Sequence, residues 1–183
     1  RHKRRALTPQ EVARLVASAR GSGCAIQGYD GETRARAYLV SFFTGLRRQE
    51  LGSLTPRSFR LDDDRPILKG AAACSKHRRE DTLPIHPELA AMLRDWLREM
   101  GSDDLLFPRI ERKKTWLMVK LDLERAGIAY ETHDGIADFH AAGRHSHITG
   151  LLRHGATLVE ARELARHADV RMTMKYTHIG LDD

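Results

Sequence analysis

Cysteine is scarce in this chain: Cys24 and Cys74 are the only two among 183 residues. So few thiols supply no disulfide framework and point to a reducing compartment. Long apolar runs are missing as well. None approaches the roughly 18 residues that a membrane-spanning helix needs, and no signal-peptide pattern opens the chain. Internal repeats and low-complexity segments are absent too. The chain opens "RHKRRALTPQ", without methionine, and is expected to be a piece of a longer protein.

What remains is a sequence of about one domain's length. Its 41% apolar content is enough to build a real core. Lysine and arginine number 31 against 25 acidic residues, a net charge of +6. A basic globular domain suits a polyanionic partner, most often nucleic acid, although ordinary surface charge is the simpler reading. Residues 1–7 read as a basic interdomain linker or arm, and residues 8–183 as the domain proper.

Periodicity along the chain predicts mostly helices. Thr8, Pro9 and Glu11 form a helix start with a capping box. The stretch "ETRARAYLVSFFTGLRRQELGSL" predicts a helix crowded with apolar residues, a break at Gly45 and a short second helix. From Phe59 to Ile85, short apolar runs between polar turns predict two or three antiparallel strands. Helices follow over "HPELAAMLRDWLREMG" and "ERKKTWLMVKLDLERAG". A small hairpin turning at Asp134-Gly135 comes next, and the remainder is helical. The expected fold class is mainly α with a small antiparallel β-sheet (α+β), the sheet being inserted between two helical halves.

Four stretches carry chemistry. "TGLRRQEL" offers Arg47 and Glu50 at a helix start, and "CSKHRREDTLPI" offers Lys76 in a strand or its turn. "HAAGRHSH" offers His140 and Arg144, and "LARHADVRMTMKYTH" offers His167 and, nine residues on, Tyr176. Each has a structural explanation: a surface arginine, a solvated basic cluster, a cation closing a helix, a core tyrosine. For Arg47 that explanation is weak, because a cation at a helix start opposes the macrodipole. A metal centre is not expected, since His145 and His147 stand two apart on a helix and cannot converge on one ion.

In this order the four stretches resemble the catalytic domain of the tyrosine recombinase (phage integrase) family, over about residues 8 to 178. The resemblance implies that fold. It also implies a site-specific DNA recombinase or integrase that cuts and rejoins double-stranded DNA through a 3′-phosphotyrosyl intermediate, without metal, ATP or any other cofactor. Tyr176 would be the nucleophile and Lys76 the acid protonating the departing 5′ oxygen, with Lys69 as the fallback. Arg47 and Arg144 would grip the non-bridging oxygens of the phosphorane, where planar guanidiniums present forks of donors. His167 would hydrogen-bond a phosphate oxygen, His140 would assist proton transfer, and Glu50 would orient Arg47 from behind.

The family also implies an N-terminal core-binding domain lying outside this fragment. With it, the full-length protein would assemble as a homotetramer on paired DNA sites, and the fragment alone would be a monomer. The setting implied is the cytoplasm, at the nucleoid, in a bacterial or phage-derived system. Two alternatives stay open: a type IB topoisomerase-like enzyme that relaxes one duplex, and a catalytically silent DNA-binding module. One feature departs from the family's H-x-x-R spacing. His140 stands four residues before Arg144 rather than three. The extra residue is expected to form an irregular turn at Gly143 or its neighbours. Regular helix would then start only after about Ala141, with His140 just before it.

Overall fold

A computed structural model of the chain describes residues 3–69 and 82–176. It divides into two compact units: Arg1–Gly45 together with Lys114–Asp183, and Leu46–Lys113.

The first unit is helical. Helix α1 (Pro9–Arg20) opens on the predicted box: Glu11 N–H donates to Thr8 Oγ1 at 3.1 Å, and Thr8 N–H donates to Glu11 Oε2 at 2.9 Å. Its buried stripe, Val12, Leu15, Val16 and Ala19, follows the helical period and packs on helix α2 (Gly31–Thr44). In the first turn of α2 a charge rather than a hydrocarbon is buried. Arg34 is fully buried and forks onto Asp122 of helix α5 (Thr115–Arg125), with Nε–Oδ2 at 2.8 Å and Nη2–Oδ1 at 3.0 Å. The Tyr38 hydroxyl donates to the same carboxylate at 2.7 Å. Burial first, and then the Asp122 charge, push the Tyr38 phenol well above its ordinary pKa. A buried ion pair is tolerated only when its polar atoms are satisfied, and this one is bonded at both ends.

The hairpin of strands β4 (Glu131–Thr132) and β5 (Gly135–Ile136) pairs Thr132 with Gly135. Its turn is therefore His133-Asp134, one residue earlier than predicted. Gly135 serves a different purpose. A Cβ there would lie 2.5 Å from the Lys3 carbonyl oxygen, because the basic arm runs alongside the hairpin. Ile136 N–H donates to Lys3 O at 2.9 Å, and Arg5 N–H donates to Ile136 O at 3.2 Å. Arg4 pairs with Asp138, and Leu7 is buried. From residue 3 onward the arm is thus docked on this unit.

Helical backbone begins at Phe139 and runs to Arg153, interrupted by a π-helical turn at Ala141–His145 before helix α6 (Ser146–Arg153). Helix α7 (Leu158–Leu164), capped by Thr157 and Glu160, and the short helix α8 (Val170–Met174) complete the unit.

The second unit holds the predicted sheet. Strands β1 (Phe59–Arg60), β2 (Ile67–Lys69) and β3 (Thr82–Pro84) are antiparallel in that order. The register stacks Phe59, Leu68 and Leu83 as a buried row. Helix α3 (Arg48–Leu51) precedes the sheet. Helix α4 (Pro87–Leu97) follows it, burying Leu89, Ala90, Leu93 and Leu97. No helix among the described residues is long and apolar enough to cross a membrane.

Candidate active site

The π-turn carries the first group of side chains. Steps of three and four residues both keep side chains on one helical face but differ by about 100° in direction, and between His140 and Ser146 the backbone widens one turn. Ser146 N–H reaches back five residues to the Ala141 carbonyl, which also accepts from Ser146 Oγ at 2.6 Å. That hydroxyl in turn accepts the Leu7 N–H at 2.8 Å. His140 has helical backbone angles (φ −67°, ψ −36°), so it lies inside the helix rather than ahead of it. The start is fixed by Asp138, whose Oδ1 accepts the Ala141 N–H at 2.8 Å. Gly143 keeps a right-handed backbone. It is needed because a Cβ there would overlap the Ser41 side chain on α2.

Arg144 is 3% exposed. Its Nη1 donates to the Gly45 carbonyl at 2.8 Å and its Nη2 to the Ala165 carbonyl at 2.5 Å. Gly45 and Ala165 are the C-caps of α2 and α7. Two helix C-termini, each carrying partial negative charge, therefore hold the buried guanidinium.

The Ala165 carbonyl belongs to the turn that presents His167. Arg166 adopts φ +51°, with its N–H donating to Glu163 O, and His167 N–H returns to Arg162 O at 3.0 Å. This is a Schellman-type ending with arginine where glycine is usual. His167 is buried, and its Nδ1 lies 2.9 Å from Thr173 Oγ1.

Tyr176, half-buried, lies against two imidazoles. The His167 ring is near-parallel to it, 21° between planes and 6.1 Å between centroids. The His145 ring is tilted at 50° with centroids 4.8 Å apart. Burial, and then the neighbouring His140, lower the His145 pKa to about 4, so this ring is neutral at pH 7. His147 is also held at about 4, chiefly by burial.

Within the other unit, Arg47 is the N-cap of α3 and its side chain is 47% exposed. Glu50 resolves the conflict between a cation and a helix start. Its Oε2 accepts the Arg47 N–H at 2.6 Å, and its Oε1 stands 3.9 Å from the guanidinium. Lys76 lies outside the described residues. Lys69 ends strand β2.

The family model for the phage integrase family matches residues 5–181. The chain belongs to that family. The tyrosine recombinase XerC of Xanthomonas axonopodis pv. citri (strain 306) is 29% identical over 154 residues, covering 80% of this chain and 47% of that protein. The tyrosine recombinase XerD of Bifidobacterium longum (strain NCC 2705) is 41% identical over 72 residues, 39% of this chain and 21% of that protein. The chain spans about half the length of the XerC relatives it matches.

Solved structures share the fold. A XerH site-specific recombinase bound to palindromic difH substrate, a post-cleavage complex, aligns with TM-score 0.72 and 19% identity over 97% of this chain and 50% of that one. The catalytic domain of bacteriophage HP1 integrase aligns with TM-score 0.68 and 19% identity over 98% of this chain and 90% of that one. The fold is that of a phage integrase catalytic domain.

Of the residues assigned from sequence, the structure brings Arg144, His167 and Tyr176 together, and it pairs Arg47 with Glu50. Two neighbours are not assigned to the site from sequence. His145 is set aside with His147 as a metal ligand, yet its ring meets Tyr176. Thr173 gave no signal, because a single threonine on a short helix reads as filler.

Proposed function

We propose that this chain is the catalytic part of a site-specific DNA recombinase, working by tyrosine nucleophilic attack. The observation that carries the reading is Tyr176 lying against His145 and His167, with Arg144 bonded to the turn that presents His167. In the proposed reaction the Tyr176 oxygen attacks a DNA phosphorus and the bond to the 5′ oxygen breaks, leaving a 3′-phosphotyrosyl link. The leaving oxygen takes a proton from Lys76, and His140 assists in moving the Tyr176 proton. Arg144, Arg47 and His167 bear the charge that builds on the phosphorane, in place of a metal. Glu50 keeps Arg47 at its helix start. The phosphotyrosyl bond conserves the energy of the phosphodiester, so resealing needs no ATP.

The substrate in this proposal is double-stranded DNA at the nucleoid. The full-length protein would carry a core-binding domain before this part and assemble as a homotetramer on paired sites. That reading is supported by relatives about twice as long and by a fold neighbour described as bound to its difH substrate.

The test is to incubate the protein with a pool of nicked duplexes randomised around the nick, then denature in SDS. The expected result is a covalent protein–DNA band that persists in EDTA and is absent from Tyr176→Phe. A band unaffected by Tyr176→Phe would move the nucleophile elsewhere. The complete absence of a band from the wild type would favour a silent DNA-binding module. Relaxation of a supercoiled circle carrying a single site would instead favour the topoisomerase-like reading.

A further inference from the structure

A neutral imidazole can donate from only one of its two nitrogens, and the role of the other nitrogen fixes which one. In His167 that other nitrogen is Nδ1, which meets the Thr173 hydroxyl, a group able to donate or to accept. The two polar atoms are 2.9 Å apart, His167 is 7% exposed and Thr173 is wholly buried. The same threonine has a second tie. Its carbonyl accepts the Tyr176 N–H at 3.0 Å. Tyr176 lies in the turn that follows α8, and the side chain of Thr173 and the ring of Tyr176 both meet His167, the ring planes of His167 and Tyr176 standing only 21° apart.

We infer that Thr173 is a positioning residue for both His167 and Tyr176. Its hydroxyl donates to His167 Nδ1, which keeps the proton on Nε2, the only nitrogen then able to donate to a phosphate oxygen. Its carbonyl ties the backbone of Tyr176 to the same point, so the orientation of the histidine and the place of the nucleophile are set together. The inference rests on the recombinase reading for its catalytic meaning, but the tautomer is a property of the folded chain alone. The alternative arrangement, Nδ1–H donating to the Thr173 oxygen, would leave Nε2 a pure acceptor and set it against an anionic phosphate.

The test compares Thr173→Val, which keeps the branched shape without the hydroxyl, with Thr173→Ser, which keeps the hydroxyl. Two measurements are made on each: single-turnover formation of the covalent adduct, and the 15N shifts of the His167 ring, which report the tautomer. The wild type should show the Nε2–H form. Thr173→Val should lose it to a mixture and form adduct about 10–100-fold more slowly, by analogy with the loss on removing partners that orient metal-binding histidines. Its DNA affinity should be unchanged. Thr173→Ser should resemble the wild type in both measurements. An Nδ1–H tautomer in the wild type would overturn the inference, even if Thr173→Val failed to fold. So would wild-type rate and shifts in Thr173→Val, or a Thr173→Ser as slow as Thr173→Val. If the wild type formed no adduct, the recombinase reading would fail, and the 15N shifts would still decide the role of Thr173.

Discussion

Gly143 faces Ser41 on α2 so closely that a Cβ would lie 2.7 Å from Ser41 Cβ and 3.3 Å from its backbone carbon. Backbone and Cβ cannot swing aside as the end of a long side chain can. Gly143→Ala should therefore destabilise the protein by about 1–3 kcal/mol, the usual cost of overpacking. Chemical denaturation of the variant checks this, and adding Ser41→Gly should recover part of the loss. The sequence made Gly143 look permissive, a place for an irregular backbone. Its real constraint is a contact with a residue about a hundred positions away, and such a contact has no local signature. The same holds for Arg34 and Asp122, 88 residues apart, whose buried pairing has no local signature in the sequence. Arg47 was legible for the opposite reason. Its unfavourable place at a helix start is a local signal, whereas the role of Glu50, three residues on, came from the resemblance.

At the scale of elements, the extra residue between His140 and Arg144 announced itself in the sequence as a four-residue step where the resemblance expects three. The form it takes depends on partners the sequence could not supply. Ser146 closes the π-turn onto the Ala141 carbonyl and also receives the N–H of Leu7 from the basic arm. Ser146 is buried, so Ser146→Ala would leave the Leu7 N–H without its acceptor. A loss of about 1–3 kcal/mol is expected, because an orphaned buried donor costs its full desolvation. Equilibrium denaturation measures it. A loss below a few tenths would mean that the serine does not hold the turn. The helices and the three-stranded sheet were legible because caps and periodicity are local. The hairpin turn was misplaced by one residue, since Gly135 looked like a turn glycine and is instead the position where the arm passes closest.

For the whole molecule, the order of helical half, small sheet and helical half was readable from the change in period near Phe59. The composition of the first unit from both ends of the chain, residues 1–45 and 114–183, follows from that insertion. The net charge of +6 carries a consequence for binding. If this chain grips DNA through phosphates, its affinity should fall about tenfold between ~50 and ~200 mM salt for as few as two neutralised phosphates. It should also discriminate little between sequences. Filter binding across that salt range is the check, and salt-independent binding would contradict the electrostatic account. The central claim is narrower. The chain has four tyrosines, Tyr29, Tyr38, Tyr130 and Tyr176. Tyr29 is buried, and Tyr38 is buried with its hydroxyl bound to Asp122. Tyr130 has Lys120 over its ring, while Tyr176 lies against two histidines. Digesting the trapped protein–DNA adduct with protease and nuclease, then sequencing the modified peptide by mass spectrometry, tests that claim most directly. The account predicts a nucleotide joined through its 3′ phosphate to Tyr176. A nucleotide on any other residue, or one joined through a 5′ phosphate, would contradict it.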